Sequence, residues 1–77
     1  MRMRAKKPRT YSLVKFDVTK LPLQVRRRYP FRKDRVYVFF GEIANMKGHC
    51  IVMDRKTGKM YSGYHTENFV ELPEDEV

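Results

Sequence analysis

The run Arg26-Arg27-Arg28-Tyr29-Pro30-Phe31-Arg32-Lys33 sets five cations around two aromatic rings. Guanidinium groups grip phosphate oxygens in bidentate fashion and neighbouring rings stack on unpaired bases, so these residue types at this spacing suit a nucleic-acid backbone. Arg2, Arg4, Lys6, Lys7 and Arg9 supply a second basic stretch. Together with Arg26, Arg27, Arg28, Tyr29, Arg32 and Lys33 they form the candidate nucleic-acid-binding set. Phe31, just ahead of a strand, reads as core rather than contact. A solvated basic surface with Tyr29 and Phe31 plugging the fold is the competing reading, and the two are compatible.

Other chemistry finds less support. A metal site would recruit His49, Cys50 and His65 with Asp54 or Glu67, but the spacing matches no zinc finger or knuckle. On an alternating strand His49 and Cys50 point to opposite faces, which separates them as joint ligands and as a nucleophile–base pair. No paired carboxylates flank a plausible cleft. No Gly-rich phosphate loop follows the P-loop pattern, because Gly41 and Gly48 lack a succeeding Gly-Lys-Ser/Thr. The expectation is a non-enzymatic protein with no metal and no cofactor.

Charge is divided along the chain. Up to Arg35 there are 13 Lys/Arg against Asp17 and Asp34, whereas from Val36 onward four basic residues face seven acids, and the total is +8. Such a division suits a polyanion or an acidic protein surface as partner. The 77 residues make one small domain whose 42% hydrophobic content argues for folding. A lone Cys50 forms no internal bridge and points to a reducing, cytoplasmic setting. The longest apolar run, Val36–Phe40, is far short of the ~20 residues that span a bilayer, so no membrane association is expected.

The elements that must position these residues read as short strands. Residues 1–10 are too charged to bury apolar area and read as a flexible basic arm, residues 11–72 as a β-barrel domain, and residues 73–77 as an acidic tail. Tyr11–Asp17 is the first strand. Val18–Asp34, with Pro22 and Pro30, is a long ordered loop holding one helical turn near Leu23–Arg27. In Arg35–Phe40, Val36, Val38 and Phe40 share one face and Tyr37 and Phe39 the other. Gly41–Gly48 reads as a loop, His49–Asp54 as a strand, Arg55-Lys56-Thr57-Gly58 as a turn, Lys59–Tyr64 as the returning strand, and His65–Leu72 as a tight turn into a last short strand. The fold class is therefore all-β, a small five-stranded barrel, because isolated small sheets leave raw edges.

Both faces of Val36–Phe40 are apolar, yet only one can face a core this small. Either the Val18–Asp34 loop covers Tyr37 and Phe39, or these rings and Tyr61 remain exposed as a platform for bases or peptide side chains. An exposed strand bearing Tyr37 and Phe39 also leaves a homodimer open.

From Phe31 to about Leu72 the order of features resembles a Src-homology-three barrel. Phe31-Arg32-Lys33-Asp34-Arg35-Val36 is similar to the approach to that family's second strand, Gly41–Gly48 stands at its n-Src loop, and Arg55–Lys59 at its distal hairpin. Gly63-Tyr64-His65-Thr66-Glu67-Asn68-Phe69-Val70 resembles its closing Gly-x-x-Pro-Ser-Asn-Tyr-Val, a single helical turn leading into the last strand. The resemblance implies the barrel and a ligand face to which Asn68 and Phe69 correspond. His49 replaces the family's ligand-stacking Trp, and a basic loop stands where the family's acidic one belongs. The implied partner-binding face is thus Tyr37, Phe39, His49, Tyr61, Asn68 and Phe69, an alternative to nucleic-acid binding in which the module docks a protein.

Overall fold

A computed structural model describes residues 8–17, 19 and 21–73, with the Arg26 side chain excepted. The elements are β1 (Ser12–Phe16), α1 (Leu23–Arg26), β2 (Tyr37–Ile43), β3 (Met46–Asp54), β4 (Met60–His65), a single 3-10 turn (Thr66–Asn68) and β5 (Phe69–Glu71). All strand pairs are antiparallel and form one sheet in the order β4-β3-β2-β1-β5. β4 and β5 are its edges and do not pair with each other, so the sheet is open rather than the closed barrel expected. β5 is only three residues long, and β1 is the strand it pairs with. Among the described residues, no helix is long and apolar enough to cross a membrane.

Alternation decides which side chains go inward. Val14 and Phe16 on β1, Tyr37 and Phe39 on β2, Cys50 and Val52 on β3, and Phe69 on β5 form one buried cluster with Phe31 from the β1–β2 loop. The opposite face carries Leu13 beside Val38, Val38 beside Met53, and Met53 beside Met60, a partly covered apolar row across four strands. Burial pushes the Cys50 thiol up to about 11, which keeps it protonated and unreactive at neutral pH.

Three register shifts interrupt the alternation, one at the β2–β3 turn, where Glu42 faces Cys50 but Ile43 faces Met46, and two at single-residue bulges. On β2, Phe39 faces Val52 but Gly41 faces Ile51, so one extra residue is inserted at Phe40. Gly41 has φ +110° there, and a side chain at that position would press to 3.3 Å from the Thr10 hydroxyl. The loop expected over Gly41–Gly48 is therefore mostly strand, and Ala44 and Asn45 alone make the turn between β2 and β3. On β4, Ser62 faces Ile51 while Tyr64 faces Cys50, so Gly63, at φ +87°, is the extra residue. The result is that Tyr61 and Tyr64 lie on the same side of the sheet.

Residues 8–10 belong to the folded body, contrary to an arm that ends at Thr10. Pro8 is buried, and Arg9 donates from its backbone N, Nε and Nη2 to the Glu71 carboxylate at 3.1, 2.9 and 2.6 Å. Met1–Lys7 and residues 74–77 lie outside the described residues.

The turn between β3 and β4 is built around Asp54, which is 5% exposed. Its carboxylate accepts from the Lys56 and Thr57 amides at 2.8 and 3.3 Å and from the Arg35 guanidinium at 2.7 Å, while Gly58 N donates to its carbonyl at 2.7 Å. Burial opposes ionisation of this carboxyl, but the two amides and Arg35 more than offset it and hold it below its ordinary value. The ionised form thus favours the folded state. That contribution is complete at neutral pH and is lost as the pH falls from the unfolded carboxyl's ~4 through the lower folded value. Asp54→Asn is expected to lower the melting temperature at pH 7 and to flatten its decline below about pH 4. Thermal melts of both proteins at pH 7 and pH 3 check this, and parallel acid limbs would refute it.

Candidate nucleic-acid interface

Phe31 is the fastener of the long β1–β2 loop. After the short α1 the chain passes Arg27, Arg28 and Tyr29 and drops the Phe31 ring onto the sheet, where it lies 5.2 Å from Phe16, 5.3 Å from Tyr37 and 5.1 Å from Phe69 between ring centres. Tyr61 and Tyr64 close against it edge-on at 4.9 and 4.7 Å. Tyr29 adds a ring 5.5 Å from Phe16 and 5.7 Å from Tyr64. The Arg32 amide then donates to the Tyr37 hydroxyl at 2.9 Å. Rings in such tilted and edge-to-face pairs gain about 0.5–1.5 kcal/mol each beyond the area they bury, so the loop is held by side chains rather than by a strand ladder.

That anchoring decides what stays outside. Tyr29, Tyr61 and Tyr64 are half-buried around the Phe31 ring, while Arg27, Arg28, Arg32 and Lys33 are exposed. Among the described residues no carboxylate pairs with Arg27, Arg28 or Lys33. Arg32 stands 3.6 Å from Asp34, with both side chains about two-thirds exposed, and such a pair contributes little. Lys59 Nζ sits 5.5 Å above the centre of the Tyr61 ring, adding a further cation at the tyrosine edge. Exposed cations therefore border a rim of three tyrosine rings.

Several of the residues expected at a site are elsewhere. Arg9 is neutralised by Glu71 and is not a free phosphate ligand. Arg2, Arg4, Lys6, Lys7 and the Arg26 side chain lie outside the described residues. Most members of the expected partner face are buried in the described fold: Tyr37 and Phe39 are each 1% exposed, Phe69 3% and Asn68 4%. Phe31 of the β1–β2 loop packs against Tyr37 and Phe69. Asn68 has a structural role, since its carbonyl accepts from the Asp17 amide at 2.7 Å. Only His49 and Tyr61 of that set reach the surface. β2, flanked by β1 and β3, is also no edge through which a second copy could pair. Burial raises the Tyr37 phenol above its ordinary value, with the Arg32 amide pulling the other way, so its hydroxyl remains a neutral acceptor for the loop.

Tyr64 is the residue that reasoning from alternation misses. Three positions from Tyr61, it belongs on the opposite face of a regular strand, and the bulge at Gly63 returns it to the Phe31 side. A Ser-Gly pair inside an otherwise aromatic strand was the available signal.

No family model, curated protein or solved structure matches the chain.

Proposed function

We propose that this chain is a non-enzymatic binding module that holds DNA or RNA along Arg27, Arg28, Arg32 and Lys33, with Tyr29, Tyr61 and Tyr64 offering ring surface for stacking. The observation that carries the reading is that Arg27, Arg28 and Lys33 are exposed and meet no carboxylate among the described residues, on a loop fixed beside three tyrosines. The finer assignment of the fold to a Src-homology-three-like module is part of the same proposal. It is supported by the long loop between β1 and β2 and by the single helical turn that delivers the chain into β5. The absence of catalysis is inferred from the one thiol being buried and protonated, with no thiolate to act as nucleophile.

Affinity for an oligonucleotide is expected to fall linearly with the logarithm of salt concentration. Four phosphate contacts give a slope of about −3.6 on duplex and about −2.8 on a single strand, so the slope separates the two ligands. Fluorescence anisotropy from 50 to 300 mM KCl measures it, and binding indifferent to salt defeats the proposal.

A second reading, docking of a protein partner, is favoured by the outward apolar row of Leu13, Val38, Met53 and Met60. A complex that survives nuclease treatment supports it over the first.

A further inference from the structure

We propose that His49 and His65 form a two-imidazole site for a borderline divalent transition ion, Zn²⁺, Ni²⁺ or Cu²⁺. The inference is independent of the nucleic-acid reading and rests on three observations.

The first is register. β3 and β4 place His49 directly opposite His65, and the ring centres stand 4.4 Å apart with planes inclined at 40°. An ion about 2.1 Å from a ring nitrogen lies about 3.2 Å from the ring centre, so one ion can serve two rings whose centres are as much as ~6.4 Å apart. The observed spacing falls inside that reach, and with a nitrogen of each ring turned to a shared ion it gives a nitrogen–metal–nitrogen angle of about 90°, within the range of four- to six-coordinate ions.

The second is the hydrogen bond at the far side of one ring. His49 Nδ1 lies 3.1 Å from the Lys47 carbonyl oxygen. A carbonyl only accepts, so Nδ1 carries the hydrogen and the lone pair of the neutral imidazole is left on Nε2. Histidines that ligate metals are typically oriented in this way, with the other nitrogen donating to a backbone carbonyl or carboxylate.

The third is access. His65 is exposed and His49 half-buried, so an ion reaches them from solvent and its remaining positions stay open to water or to a donor from a bound partner. Cys50, the neighbouring soft ligand, points into the core and contributes nothing. Among the described residues no third His, Cys, Asp or Glu completes a larger cluster. Two imidazoles without carboxylates select Zn²⁺, Ni²⁺ or Cu²⁺ over Mg²⁺ and Ca²⁺, with Cu²⁺ held most tightly.

The chain has two histidines, so their ring C–H signals report on this site alone. Titrating the full chain with ZnCl₂ is expected to move both sets of signals together at a stoichiometry of one ion per chain, and MgCl₂ to move neither. His49→Ala and His65→Ala should each weaken binding at least tenfold, the lower end of the loss seen when even an outer partner of a ligand is removed. Movement of one imidazole only, an equal response to Mg²⁺, or unchanged affinity in the double variant overturns the proposal. The titration of the unmodified chain decides the matter even if a variant folds poorly. Ions held by the chain ends remain in the double variant and are subtracted with it.

Discussion

Replacing Phe31 by Ala is expected to leave the domain largely unfolded at room temperature. The ring is 6% exposed and meets Phe16, Tyr37, Tyr61, Tyr64 and Phe69 at centre distances of 4.7–5.3 Å. Truncating a buried phenylalanine costs about 3–5 kcal/mol in lost transfer energy and residual cavity. A single core in a chain of this length rarely supplies more than about 3–5 kcal/mol in total, and one free cysteine provides no cross-link to raise it. The two quantities are equal in size, so the substitution removes most of the margin. If a transition survives, each kcal/mol lowers the melting temperature by about 4–8 °C, giving a fall of at least ~12 °C. Circular dichroism melts measure this. A shift under about 5 °C would mean that the ring is not what fastens the loop.

The second large effect is electrostatic. Changing Arg27, Arg28 and Lys33 together to Gln should reduce the magnitude of the salt slope by about 2.7 on duplex and about 2.1 on a single strand, and weaken oligonucleotide binding at 0.1 M salt by roughly 10²-fold or more, because each lost contact releases about 0.9 or 0.7 fewer counterions. The fold should be nearly untouched, since these side chains are exposed and have no carboxylate partner among the described residues, and surface changes of this kind usually stay within about 0.5 kcal/mol each. Anisotropy titrations beside thermal melts separate the two outcomes. An unchanged slope with intact binding would move the contact surface away from this loop.

Local signals carried much of the fold. The alternation in Val36–Phe40 gave β2 its two faces, and Asp54 through Gly58 gave the turn, because a short hydrogen-bonded loop is written in four or five consecutive residues. What escaped were effects that depend on distant chain. Alternation shows that Tyr37 and Phe39 share a face but not that Phe31 will cover it. Glycine reads as a break, so Gly41 looked like the start of a loop when it lies beside a bulge inside a strand, and Gly63 moved Tyr64 onto the tyrosine rim. The Arg9–Glu71 pair joins residues 62 apart, and no local pattern distinguishes Arg9 from the cations before it. For the candidate site, the basic–aromatic run was legible as chemistry, whereas the identity of the rings around Phe31 and the juxtaposition of His49 with His65 needed the register of β3 on β4.

Because the Arg9 guanidinium grasps Glu71 while β1 lies alongside β5, the first and last parts of the described chain are fastened at one corner of the sheet. The described chain therefore enters β1 and leaves β5 side by side, and the ion pair ties its entry to its exit.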